Sequence, residues 1–107
     1  MKYFGKISRA EFGTVRDYPF LMGLQLDFTF DGGGVGDGGL HTVNINPDCK
    51  YDNEFERLQK QSNVLIDTAR ILKDAKVNHV SELKNKPVEV ELESDTFKSF
   101  RVLKEVL

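Results

Sequence analysis

The chain has 107 residues, the size of one ordinary domain, and 39% of them are hydrophobic against 30% charged. That balance excludes a disordered polymer and places the chain among globular proteins, while fifteen basic and seventeen acidic residues leave a net charge of −2, without the basic surplus usual in binders of phosphate backbones. A single cysteine, Cys49, excludes an internal disulfide and fits a reducing compartment.

Lys2 to Phe12 reads as a first, weak strand, with Tyr3, Gly5 and Ile7 on one face and Phe4, Lys6 and Ser8 on the other. The stretch from Gly13 to Pro19 breaks it, because proline removes a ladder donor. Gly23 to Asp31 then alternates without a fault: Leu24, Leu26, Phe28 and Phe30 share one face, and Gln25, Asp27, Thr29 and Asp31 the other. A period of two predicts a strand with one wet face. Next comes "DGGGVGDGG", residues 31–39, which holds six of the nine glycines. Leu40 to Asn46 resumes as a third strand and stops at Pro47.

From Asn53 the period changes. Phe55, Leu58, Leu65, Ile66, Ala69 and Leu72 recur at helical spacings and predict an amphipathic helix to about Ala75, roughly 33 Å long. Asn53 with Glu56 three residues on resembles a capping box. Arg57, Lys60, Gln61, Asp67, Arg70, Lys73 and Asp74 read as the solvated side of this helix. A connector, Lys76 to Lys86, leads to a fourth strand, Pro87 to Glu93, with Val88, Val90 and Leu92 inward and Glu89, Glu91 and Glu93 outward. Phe97 to Leu107 is the last strand. Phe100, Val102 and Val106 oppose Phe97, Leu103 and Leu107 on it, so both of its faces are apolar.

The expectation is therefore one α+β domain spanning 1–107, in the order β-β-β-α-β-β with one long helix. An antiparallel sheet with the helix on one face and a small OB-like barrel both satisfy that order. No apolar run approaches the ~20 residues that cross a membrane, and Met1-Lys2-Tyr3-Phe4 does not begin a signal peptide. A cytoplasmic protein with no membrane partner is expected.

The glycine stretch admits three readings. A phosphate loop needs Lys-Ser or Lys-Thr after the glycines and a helix behind them; here Leu40-His41-Thr42 enters a strand. A calcium loop needs alternating acids closed by a glutamate, which Asp31 and Asp37 do not supply. There remains a flexible hairpin connection, or a loop whose amides approach an anionic or planar ligand. One Cys and two His, His41 and His79, cannot make a zinc site without carboxylates. No metal, no cofactor and no catalytic set is expected, and the chain reads as a non-enzyme. Cys49 ahead of the helix reads as an inert thiol, and Glu89, Glu91 and Glu93 as a wet face.

Two stretches, "FLMGLQLDFTFDGGGVGDGG" with "TVNI" behind it and the ending "LKNKPVEVELESDTFKSFRVLKEVL", resemble a family of small proteins encoded by phages and prophages of Gram-positive bacteria. Members of that family often carry an aromatic where this chain has Gly33 or Gly34, so no stacking role follows there. The resemblance implies an accessory protein acting inside a bacterial host, and small phage proteins of this kind commonly act by binding. The leading expectation is capture of a small anionic, nucleotide-like ligand, such as a host defence signal, by Arg16, Gly33, Gly34, Gly36, Asp37, Gly38 and His41. Backbone amides would meet phosphate oxygens and arginine would pair the charge. The alternative is an OB-like single-stranded DNA-binding or recombination accessory protein using Tyr3, Lys6, Arg9 and Tyr18. A further alternative is a protein inhibitor of a host defence enzyme. The two-sided last strand predicts a homo-oligomer touching through Phe97, Leu103 or Leu107.

Overall fold

The computed structural model describes residues 1–51 and 53–107. Strands β1 (Lys2–Val15), β2 (Tyr18–Phe30), β3 (Gly33–Gly36) and β4 (His41–Asn44) precede a helix, α1 (Glu54–Asp74), and β5 (Pro87–Glu93) and β6 (Thr96–Val102) follow it. The class is α+β, with one strand more than expected, because part of the glycine stretch is itself a strand. All pairings are antiparallel, in the order β3-β2-β1-β5-β6. β4 shares the free edge of β2 with β3: β3 pairs Asp27 to Phe30, and β4 pairs Leu21 to Leu24. This is the connectivity of an OB-type barrel with its third strand broken in two. β3 and β6 come into contact at the ends of the sheet, but no ladder joins them among the described residues. No helix among them is long and apolar enough to cross a membrane.

Alternation in β2 places Leu24, Leu26 and Phe28 wholly inside. Ile7, Val88 and Val90 from the neighbouring strands join them, with Ile71 and Ala75 of α1 and Leu83 of a short 3-10 turn (Val80–Leu83). Glu89, Glu91 and Glu93 face outward as the period requires, within ion-pairing reach of Lys2, Arg101 and Lys98. The β5–β6 turn, Ser94-Asp95, has both residues at positive φ, the two-residue geometry that matches strand twist.

β6 corrects the two-sided reading of the C-terminus. Glu91 pairs Ser99 while Leu92 pairs Phe97, so Lys98 is an extra residue on its strand, a β-bulge. The bulge resets the alternation and turns both Phe97 and Phe100 inward. Their rings lie 5.6 Å and 4.8 Å from that of Phe28. Leu103 is buried just past the strand, and Leu107 closes a final 3-10 turn (Lys104–Val106). One face of β6, not two, is apolar, while Val106 and Leu107 beyond it stay exposed, so the subunit contact expected at Phe97, Leu103 and Leu107 no longer follows from a two-sided strand.

The helix corrects a second expectation. Asn53 caps it as anticipated, its side-chain oxygen accepting the Glu56 N–H at 2.8 Å, and Lys76 ends it at φ 60° with the Val77 N–H donating to Leu72 O at 3.0 Å. But the buried residues are Val64, Thr68 and Ile71. The predicted stripe faces outward instead: Phe55 is 73% exposed, Leu58 54%, Leu65 65% and Ile66 60%. Arg57, Gln61, Asp67 and Asp74, expected on the solvated side, are half-buried. Thr68 tolerates burial because its hydroxyl donates to Val64 O at 2.7 Å.

β4 lies so close to β2 that Gly23, at φ 153°, has no room for a side chain: a Cβ there would overlap the His41 carbonyl oxygen. Gly23→Ala is expected to lose about 2–4 kcal/mol in urea unfolding. Gly13→Ala, where a Cβ meets nothing within 4 Å, should stay within about 1 kcal/mol of the parent. Equal effects of the two substitutions would show that the β2–β4 approach is not tight.

Candidate functional site

Between β3 and β4 the chain makes a corner held by one side chain. Asp37, 6% exposed, accepts the Leu26 N–H on one carboxylate oxygen at 3.3 Å and the Gly39 N–H on the other at 3.2 Å. Its own N–H donates to Leu26 O at 3.0 Å. Gly39 stands at φ 79°, a conformation an ordinary residue resists, and its carbonyl accepts both the Thr42 N–H and the Thr42 hydroxyl. Burial pushes the Asp37 carboxyl above the usual aspartate range, while the Gly39 and Leu26 amides and nearby His41 pull it back. Part of the glycine stretch is thus regular structure rather than a loop. Gly33, Gly34 and Gly36 lie in a ladder with β2, and the corner's amides hold the corner.

The corner delivers His41 to the start of β4, facing α1. The imidazole is 7% exposed, and neither ring nitrogen has a hydrogen-bond partner among the described residues. Nδ1 lies 3.6 Å from an Asp67 carboxylate oxygen, and the ring meets Phe100 edge-on at 6.4 Å. Asp67 also pairs with Arg70 at 3.2 Å. His41 lines a cleft of about 570 Å³ between β4 and α1, with Asn44, Tyr51, Lys60, Asn63 and Asp67. On its other side a cavity of about 300 Å³ reaches Phe100 and Arg101.

The segment after β4 forms the cleft's outer wall. Arg57 donates to Cys49 O at 2.8 Å and lies over the Tyr51 ring at 5.0 Å. Tyr51 donates its hydroxyl to Asn44 O at 3.2 Å. Desolvation raises the Tyr51 phenol above its ordinary pKa, with Cys49 adding to the effect. Lys60 also lies over this ring, 5.3 Å from its centroid, and pairs with Glu56 at 3.2 Å. Cys49 lines the same cleft as His41, yet no hydrogen bond joins thiol and imidazole, so the pair is not assembled for nucleophilic chemistry. Among the described residues no group of three or more His, Cys, Asp or Glu is placed to hold a metal ion.

The predicted ligand residues do not form one site. Arg16 lies in the β1–β2 turn, at the end of β2 away from Gly33 and Gly34. Gly36, Asp37 and Gly38 line a separate groove of about 510 Å³ beside Phe97 and Lys98. Only His41 reaches the β4–α1 cleft. Of the nucleic-acid set, Tyr3 stacks on Phe30 at 4.6 Å, and Arg9 is pinned to Asp27 at 2.6 Å and Glu11 at 2.9 Å. Lys6 is exposed on β1, and Tyr18 meets Phe20 edge-on. Lys60, Asn63 and Asp67 escaped the sequence reading because their helix face looked like plain solvent. Their recurrence with Glu56 at three- and four-residue spacing was the available signal.

Because folding raises the Asp37 pKa, the folded state binds its proton more tightly than the unfolded chain does. The contribution of this group to stability is then largest at low pH and declines as pH rises from the ordinary aspartate value through the folded one. Asp37→Ala is expected to cost about 2 kcal/mol through two orphaned amides, and to cost more at pH 4 than at pH 7 in urea unfolding. The opposite pH trend would reverse the assignment.

No family model matches the chain, and no curated protein or solved structure matches it either; the resemblance to phage-encoded proteins rests on its two stretches of sequence.

Proposed function

We propose that the protein is a non-enzymatic accessory protein, phage-encoded and acting in the bacterial cytoplasm, that captures a small anionic, nucleotide-like ligand in the β4–α1 cleft. One observation carries this reading. An imidazole removed from water with both nitrogens unpartnered costs about 1–3 kcal/mol, and native structures rarely keep such groups without a use. The cleft in front of His41 has the volume of a small-molecule site. Lys60 supplies a positive charge on the cleft wall, paired with Glu56 at 3.2 Å. Asn63 and Thr42 add hydrogen-bonding groups to the same walls.

The single-stranded nucleic acid reading retains one supporting observation, the exposed rings of Phe4, Tyr18 and Phe20 on β1 and β2. Opposing it, Arg9 and Arg101 are both committed to carboxylates.

Calorimetry against inorganic phosphate, mononucleotides and cyclic nucleotides tests the leading proposal. Heat is expected with at least one of them at high micromolar concentration, and His41→Ala should weaken it at least tenfold with the circular dichroism spectrum unchanged. Silence across the panel refutes the cleft reading; a gel shift with a single-stranded oligonucleotide, lost in Phe4→Ala and Tyr18→Ala, would replace it with the second.

A further inference from the structure

The outward stripe of α1 has a regular internal spacing. Phe55, Ser62 and Ala69 recur every seven residues, and so do Leu58, Leu65 and Leu72, three positions later. That is the a/d pattern of helices that pack side by side. Phe55, Leu58, Ser62, Leu65 and Ala69 are exposed, with Ile66 beside them, and Leu72 is half-buried at the foot of the row. Side chains of this size each present on the order of 100 Å². Phe55, Leu58, Leu65 and Ile66 together make a patch of several hundred Å², the size at which exposed apolar area marks a contact.

The two rows are complementary to each other when one copy is reversed. With Ser62 facing Leu65 of a second copy, Leu58 faces Ala69 and Phe55 faces Leu72. Two of the three kinds of layer then set a large side chain against a small one, as close helix packing requires. Antiparallel helix dipoles favour the same direction. Two such faces bury roughly 1,000 Å² with their flanking residues, near the lower bound of a specific interface.

We propose that the occupant of this face is a second copy of the same chain, so that the protein is a two-fold dimer built on antiparallel α1 helices. Lys60, Asn63 and Asp67 lie on a different side of the helix from the stripe, so the dimer leaves both clefts open. The inference stands independently of what the clefts bind.

Light scattering on the intact protein at 100 µM or so is the direct test. A mass of twice the 12.2 kDa chain is expected, falling to one chain in Leu65→Glu and Ile66→Glu with circular dichroism unchanged. Both residues are exposed, so folding should survive the change. A single-chain mass for the parent overturns the proposal and leaves the stripe to a partner of another kind. A dimer that survives both glutamate substitutions, or that Phe4→Glu on β1 dissociates instead, overturns it as well.

Discussion

The two amide hydrogen bonds accepted by Asp37 set the layout of one whole side of the molecule. β2 exposes an edge long enough for a single continuous partner strand. Such a strand would point its residues along the sheet and away from the helix. By taking the Leu26 N–H onto a side-chain oxygen, Asp37 satisfies the ladder where the partner leaves it. By taking the Gly39 N–H on its other oxygen, it turns the chain back toward the sheet as β4. The charge is tolerable in the interior only because each oxygen finds a donor. His41 therefore enters β4 facing α1, and the close approach at Gly23 keeps it there.

The helix is the second organising element, and it has two faces with different tasks. Its narrow inner row, Val64, Thr68, Ile71 and Ala75, uses short or satisfied side chains and lies close to the sheet. That closeness brings Asp67 within 3.6 Å of His41 and lets Arg57 reach the wall segment at Cys49. The bulky apolar residues are left on the outside, where no strand among the described residues covers them. Cleft and outer stripe are two results of one docking choice.

How much of this was legible depends on whether the determining contact was local. The alternation of β2 and β5 is local and read correctly, as did the Asn53 cap. The bulge at Lys98 is a relation between two strands, so a single-strand reading put Phe97 on the wrong face. The helix carries two apolar rows, and periodicity favours the larger one. What selects the smaller row is the position of Ala75 and Leu83 in the core, which no helical wheel contains. The glycines suggested looseness, whereas β3 and the Asp37 corner order them. In the site, His41 was legible as one of only two histidines, beside an unusual loop. Lys60, Asn63 and Asp67 share a helical spacing with Glu56, but which way that row faces is set by the docking of the helix.

The bulge in β6 bears on how the protein behaves at high concentration. A sheet left open between β3 and β6 offers two unpaired edges, the usual templates for runaway strand addition. Here one edge is split into two four-residue pieces by a buried corner. The other is interrupted by the extra residue Lys98 and carries Lys98 and Arg101 outward. Neither edge presents a flat, regular row of donors and acceptors for a neighbour to copy. The sheet can thus stay open between β3 and β6 without offering a template for runaway strand addition.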